Sequence, residues 1–323
     1  MISKEARAFL RTLLDTPGPS GFERAPALIW RTEASRFATV STDVTGNSMA
    51  VVNPGGAPTI MLAGHIDEIG VMVTYIDDGG FVYISPVGGW DPQVLVGQRI
   101  RFLGSHGDVL GGVGKLPMHV IRPEDREKAA RMRDLWVDIG ARNKADAESF
   151  LSVGDVGVID AQAIEMPNDR MVSRSIDNRI GAFAVLEALR RYAEKPGTAR
   201  VVAVATTQEE VGPGGGGARV AATSLKPQMA IVVDVTFAVD HPTIEKKEHG
   251  EARIGGGPVL TRGAVVSPVI FNLLRDVAER ESIPFTVHAI GRATGTDADA
   301  IHIAHEGVAT GIVGIPNRYM HSP

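Results

Sequence analysis

The chain has 323 residues, 44% hydrophobic and 22% charged, and its 33 basic and 38 acidic side chains leave a formal net charge of −5. That is an ordinary globular composition, too long for one small core, and without charge blocks it argues against nucleic acid or an anionic membrane as partner. The absence of cysteine excludes disulfides, thiolate zinc sites and cysteine nucleophiles, so any metal must use histidine and carboxylate ligands, and no apolar stretch reaches the roughly 20 residues needed to span a bilayer.

Ser3 predicts an N-cap for an amphipathic helix carrying Phe9, Leu10, Leu13 and Leu14 and ending near Asp15, since Pro17-Gly18-Pro19-Ser20-Gly21 cannot continue it. Such a start is a helix and not a secretory leader, and the expected location is cytoplasmic. A second helix is expected over about 23–37. Strands follow over 40–53, broken by a turn at Thr45-Gly46-Asn47, and over 58–63. After Gly70 the texture changes to glycine-rich alternation of apolar and polar residues, as in Phe81-Val82-Tyr83-Ile84-Ser85. Short helices near 124–133 and 144–150 interrupt it. Closely spaced short strands of this kind predict a small β-barrel or sandwich. Helix and strand then alternate: helix over 179–193, strand over 201–205, helix over 215–222, strand over 229–233. The economical reading is an α/β domain formed by residues 1–70 and 165–323, with a β-module inserted at 71–164.

The chemistry-bearing residues sit where the predicted strands end. Glu209 and Glu210 follow the buried run Val201-Val202-Ala203-Val204-Ala205, at the edge where open α/β sheets place ligands. Two carboxylates there are costly unless a cation or a mobile proton compensates them. His65 lies just past Thr59-Ile60-Met61-Leu62. Asp67, two residues on, points the same way in an extended segment and can hydrogen-bond a metal-ligating imidazole. Asp234 ends the run Met229-Ala230-Ile231-Val232-Val233. Asp177 precedes a helix and, taken alone, reads as an N-cap. His321 has no reading in isolation. Jointly, Asp177, Glu210, Asp234, His65 and His321 make a ligand set suited to two divalent cations, zinc first, with cobalt or manganese accepting overlapping ligands. Such pairs stand roughly 3.5–4 Å apart and turn a shared water into hydroxide near neutral pH. Glu209 is left without a metal and is the natural general base. The other histidines, His106, His119, His241, His249, His288, His302 and His305, read as structural or exposed, with His302 and His305 three apart on a predicted helix. Arg262, Arg292 and His288 are candidates for lining a side-chain pocket.

These residues carry a resemblance over nearly the whole chain. Pro19-Ser20-Gly21-Phe22-Glu23, Asp43-Val44-Thr45-Gly46-Asn47, Gly64-His65-Ile66-Asp67-Glu68-Ile69-Gly70, Gly88-Gly89-Trp90-Asp91-Pro92-Gln93, Ser175-Ile176-Asp177-Asn178-Arg179, Gln208-Glu209-Glu210-Val211-Gly212, Gly295-Thr296-Asp297-Ala298 and Arg318-Tyr319-Met320-His321-Ser322-Pro323 occur in order. The chain resembles the dinuclear-zinc glutamyl/deblocking aminopeptidases, whose tetrahedral dodecameric members are called TET peptidases and some of which carry the names cellulase M or endoglucanase. The resemblance implies an α/β/α zinc-peptidase domain with an inserted β-barrel used in assembly, short peptide substrates, and a homo-oligomer from dimer to dodecamer. It implies His65, Asp177 and Asp234 at one metal and Asp177, Glu210 and His321 at the other. Asp177 bridges, Asp67 orients His65, and Glu209 shuttles the proton. The Asp177–Asn178 peptide is implied to be cis.

Two departures stand out. The turn Val211-Gly212-Pro213-Gly214-Gly215-Gly216-Gly217-Ala218 is longer and richer in glycine than the family's, which predicts a more flexible loop. The family pattern also continues beyond Pro323 with a further helix. An aminopeptidase is the leading expectation. The competing classes are a dinuclear amidohydrolase of N-acyl amino acids, a glycosidase built on Glu209 and a second carboxylate, and a non-catalytic, self-assembling metal-binding protein.

Overall fold

The computed structural model describes residues 3–212 and 216–323, so the centre of the glycine-rich turn, including Gly215 where a helix was expected to begin, lies outside the described residues. Helix α1 (Lys4–Asp15) starts where Ser3 Oγ accepts the Ala6 amide at 3.1 Å, and it buries Leu10, Leu13 and Leu14. Helix α2 (Arg24–Ala34) stops short of the expected Phe37, where the Arg36 and Phe37 amides turn to the carbonyls three residues back, Glu33 and Ala34, and tighten the last turn. Strands β1 (Thr39–Thr42), β2 (Ser48–Val52) and β3 (Thr59–His65) follow.

The glycine-rich stretch closes into a barrel. Its strands are β4 (Gly70–Ile76), β5 (Val82–Val87), β6 (Arg99–Gly104), β7 (Gly107–Gly114), β8 (Trp136–Asp138) and β9 (Val156–Ile159), in the order β4-β5-β8-β7-β6-β9. Its interior holds Val71, Val73, Ile100, Phe102, Leu135 and Val137. Between β5 and β6 lies a short helix absent from the sequence reading, α3 (Pro92–Leu95), started by Asp91 accepting the Gln93 amide. The helix expected over 124–133 is not formed: two single 3₁₀ turns, at Pro123–Asp125 and Met132–Asp134, take its place. That segment has no apolar stripe to bury, and a short helix without one has little to stabilise it. Helix α4 (Lys144–Glu148) does form, with Asn143 Oδ1 accepting the Asp146 amide at 3.0 Å.

After a small hairpin, β10 (Ile164–Met166) and β11 (Arg170–Val172), the chain returns to the main sheet. It runs through α5 (Ile176–Glu194), β12 (Arg200–Thr206), α6 (Gly216–Leu225), β13 (Met229–Phe237), α7 (Lys246–His249), β14 (Val259–Gly263), α8 (Pro268–Arg280), β15 (Thr286–Ile290), α9 (Ala298–Ile301) and β16 (Ala309–Asn317). The sheet order is β1-β2-β12-β3-β13-β16-β14-β15, with β12, β3, β13 and β16 mutually parallel. Strand β12 shows why its run is continuously apolar. Val202 and Val204 face Ala218, Ala221 and Ala222 of α6, while Val201, Ala203 and Ala205 face the layer of α1, α2 and α5. A strand buried on both faces needs apolar residues at every position. The α/β/α layering is as expected.

Helix α5 lies directly on β3 and β13. A Cβ on Gly64 would stand 2.5 Å from the Gly181 carbonyl carbon, and one on Gly181 would stand 2.5 Å from the Val233 oxygen. Only glycine permits that approach, and it brings the start of α5 to the carboxyl ends of the central strands.

Candidate active site

The sequence-predicted residues arrive at one sheet edge on several elements. His65 closes β3, Asp234 lies in β13, and Glu209 and Glu210 follow β12. Asp177 sits at the head of α5 with non-helical φ/ψ, and the Asp177–Asn178 peptide is cis. The N-cap that Asp177 suggests when read alone is made by its neighbour: Asp177 is buried with non-helical φ/ψ, Ser175 makes no capping hydrogen bond, and it is Asn178 that caps the regular part of α5. Asn178 seals the irregular turn, its Nδ2 donating to the Val233 carbonyl at 2.8 Å and its Oδ1 accepting the Gly181 amide at 3.1 Å. His321 comes from the segment after β16, in a left-handed conformation at φ 61.

Asp177 lies between the two imidazoles. Its Oδ1 is 3.2 Å from His65 Nε2 and its Oδ2 is 3.4 Å from His321 Nε2. Asp234 Oδ1 and Glu209 Oε2 each stand 3.8 Å from His65 Nε2, and Glu210 Oε1 is 3.3 Å from His321 Nε2. On the far side of His65, Asp67 Oδ1 is 3.4 Å from Nδ1, within ion-pair range but outside good hydrogen-bond geometry. The Nδ1 atom of His321 is tied to the Gly89 carbonyl at 2.7 Å, so the barrel helps to orient a residue of the α/β domain.

The electrostatics are those of too many carboxylates in too little water. Burial, only partly offset by His65 and aggravated by Asp234, Asp297 and Glu210, pushes Glu209 up to about 10. Burial likewise holds Asp234 well above the usual carboxylate range and raises Glu210. Asp177 goes the other way: burial opposes its ionisation, but the hydrogen bonds to His321 and His65 outweigh it and leave the carboxyl below its usual range. Burial by itself would lower both imidazoles, yet the surrounding carboxylates raise His65 well above its usual value and His321 to about 10.

These residues fit divalent cations. His65, Asp177 and Glu210 each offer a ligand atom within 4.8 Å of the others, and so do His65, Glu209 and Asp234. The second group contains Glu209, which the sequence reading kept off the metal, so the distances alone leave its role open. Buried carboxylates whose charge is this strongly disfavoured need a cation to hold them ionised. The site opens onto a cleft of about 840 Å³ lined also by Phe237, His249, His288, Arg292 and Thr296. His288 and Arg292 thus line the cleft, as two of the three pocket candidates, and the exposed His249 stands at it as well. Arg262 does not line it and stacks 5.6 Å from the Phe271 ring centre. His302 and His305 are not on a helix face. Helix α9 ends at Ile301, His302 Nδ1 meets the Ala298 carbonyl, and His305 is left-handed at φ 55.

Sequence reasoning assigned nothing to Asp297, which is 1% exposed. It accepts a hydrogen bond from Thr206 Oγ1, finds no partner for its other oxygen among the described residues, and is pushed up to about 6 by burial. Its one signal was the motif Gly295-Thr296-Asp297-Ala298, since no apolar periodicity leads to it.

The model of the M42 glutamyl aminopeptidase family matches residues 46–323. A lysyl aminopeptidase of Pyrococcus furiosus is 35% identical over 97% of this chain and 89% of its own length. The TET aminopeptidase structure from the marine sediment archaeon Thaumarchaeota archaeon SCGC AB-539-E09 superposes with a TM-score of 0.93 at 33% identity, covering 98% of this chain and 90% of that one. The Pyrococcus horikoshii TET1 peptidase, described as assembling into a tetrahedron or a large octahedral shell, superposes with a TM-score of 0.86 at 28% identity over 98% of this chain and 92% of that one.

Proposed function

The chain belongs to the M42 glutamyl aminopeptidase family and is a hydrolase of peptide bonds, and from that premise we propose a two-metal aminopeptidase in which Glu209 carries the proton. The observation that supports this best is Asp177, whose two carboxylate oxygens each face a different imidazole at 3.2 and 3.4 Å. A carboxylate so placed is a natural bridge. His65 and Asp234 would hold one metal together with it, and Glu210 and His321 the other, with Glu209 left free of both. When bound, two divalent cations, zinc or its cobalt and manganese substitutes, supply Lewis acidity and lower the pKa of a shared water.

The protein's own part is orientation and proton transfer. The Gly89 carbonyl holds the His321 imidazole by its far nitrogen, and Asp67 faces the far nitrogen of His65 at 3.4 Å as its ion-pair partner. The free α-ammonium of a short peptide finds the carboxylate-rich end of the cleft, which fixes the scissile carbonyl beside Glu209. Glu209 takes the proton of the attacking water and delivers it to the leaving amine. The fold shared with the Pyrococcus horikoshii TET1 peptidase supports a homo-oligomer, and the barrel is the part proposed to join its subunits.

Two adjacent glutamates with different jobs give the test. Glu209→Gln should keep both metals by elemental analysis while kcat falls by about 10²–10⁴ with little change in KM. Glu210→Ala should lose one metal and regain part of its activity in excess zinc. Metal loss and zinc rescue in Glu209→Gln would exchange the two roles. A preference for N-acetylated over free-amine peptides would sink the aminopeptidase reading itself.

A further inference from the structure

Four consecutive backbone amides follow β12, and each donates to a side chain from elsewhere in the chain. The Thr207 N–H donates to Asn47 Oδ1 at 3.1 Å and the Gln208 N–H to Glu23 Oε1 at 3.1 Å. The Glu209 N–H donates to Asp67 Oδ1 at 3.3 Å and the Glu210 N–H to Asp67 Oδ2 at 3.1 Å. These acceptors come from three separate loops and are 0%, 5% and 0% exposed for Asn47, Glu23 and Asp67. A surface turn ordinarily gives its amides to water, whereas a buried one must find protein acceptors. This turn also needs outside support, because Gln208 is left-handed at φ 60, uncommon for a residue with a side chain.

Two of the acceptors are themselves fixed. Glu23 Oε1 also accepts the Gly21 amide at 2.6 Å, tying its own loop to the turn. Asn47 Nδ2 donates to Asp43 Oδ2 at 2.7 Å and to the Gly217 carbonyl at 2.8 Å, so its Oδ1 is aimed at Thr207. Gly217 has to be glycine here, since a Cβ would fall 2.1 Å from Asn47 Oδ1.

We propose that Glu23 and Asn47 are positioning residues for peptide hydrolysis: together with Asp67 they form a side-chain cradle that locks the 207–210 turn and aims Glu209 at the reacting water. The proposal rests on the reading of Glu209 as proton shuttle. It explains why the motifs around Glu23 and Asn47, which supply no candidate ligand, converge on the residues just before the general base. It also separates hydrogen bonding from charge, because a glutamine at position 23 still offers an amide oxygen to both N–H groups.

The test is a double-mutant cycle on metal-replete enzyme, with Glu23→Ala, Glu23→Gln and Asn47→Ala each made alone and in Glu209→Gln. Misplacing a catalytic group by about 1 Å costs roughly 10²-fold, so Glu23→Ala and Asn47→Ala should lower kcat by about 10–100-fold with KM within about 2-fold. Glu23→Gln should stay within about 3-fold of wild type. In the Glu209→Gln background, Glu23→Ala should cost less than about 3-fold more, because the group it aims is already gone. If Glu23→Ala does not fold, Glu23→Asp, too short to reach Gln208, takes its place. A normal kcat in the alanine variants, equal damage from Glu23→Gln, or losses that multiply with that of Glu209→Gln would each overturn the cradle. Full activity in Glu209→Gln alone removes the proton-shuttle reading, a failure visible without any cradle variant.

Discussion

At the scale of single residues, Glu23 combines a structural task with an energetic penalty. Burial, then the nearby Asp67 charge, pushes its carboxyl up from 4.5 to about 7, although three amide hydrogen bonds oppose the shift. A raised carboxyl binds its proton more tightly in the folded protein than in the unfolded chain. Its contribution to stability is therefore full below about pH 4.5 and lost as the pH climbs toward 7. A shift of this size corresponds to on the order of 3 kcal/mol. Glu23→Gln removes the titration while keeping the acceptor. The stability of wild type relative to this variant should thus fall between pH 4.5 and 7 and level off above. Urea denaturation of both proteins across that range measures the difference, and parallel curves would contradict the shift.

Among the elements, the junction of β3, α1 and α5 depends on one buried carboxylate between two guanidinium groups. Glu68 meets Arg174 Nε and Arg179 Nη2, each at 2.9 Å, with all three side chains no more than 7% exposed. Arg179 also donates to the carbonyls of Leu13 at 2.8 Å and Ile66 at 3.0 Å and to that of Thr16, so it joins the end of α1 to the segment between His65 and Asp67. This arrangement fixes the head of α5, and with it Asp177. Removing one partner of a buried ion pair leaves an uncompensated charge and typically costs about 3–5 kcal/mol. Glu68→Ala should lose about that much in chemical denaturation. It should also weaken metal retention at Asp177, as read by the metal content after dialysis. A loss below about 1 kcal/mol, the range of exposed pairs, would show that water reaches the junction.

For the whole molecule, the barrel and the α/β domain are joined through chemistry as well as through the chain. Gly89 of the β5–β6 loop holds His321, and the Cβ of Glu210 lies 3.4 Å from where a Cβ on Gly88 would stand. An assembly built through the barrel would therefore bear on the active site. Sedimentation velocity should show a multi-subunit species at micromolar concentration, and monomer alone across a concentration series would count against the proposed homo-oligomer.

The sequence by itself determined the α/β alternation, a module of short strands after Gly70 and the apolar runs that lead to His65, Glu209, Glu210 and Asp234, although β13 runs on past Asp234 to Phe237 and the closing of the module into a barrel was decided by strand pairing. Burial on both faces demands continuous apolar runs, barrel strands demand alternation, and both patterns are local. It misplaced a helix at 124–133, where charge without an apolar stripe gives nothing to bury. Only the tertiary structure decided that Asp177 faces both imidazoles, that the buried Asp297 borders the site, and which side chains take the amides of the 207–210 turn. Those hydrogen bonds join residues 160, 185, 142 and 143 positions apart. No periodicity of helix or strand reaches over such distances, and the pairing is set by which loops the folded sheet brings to one edge.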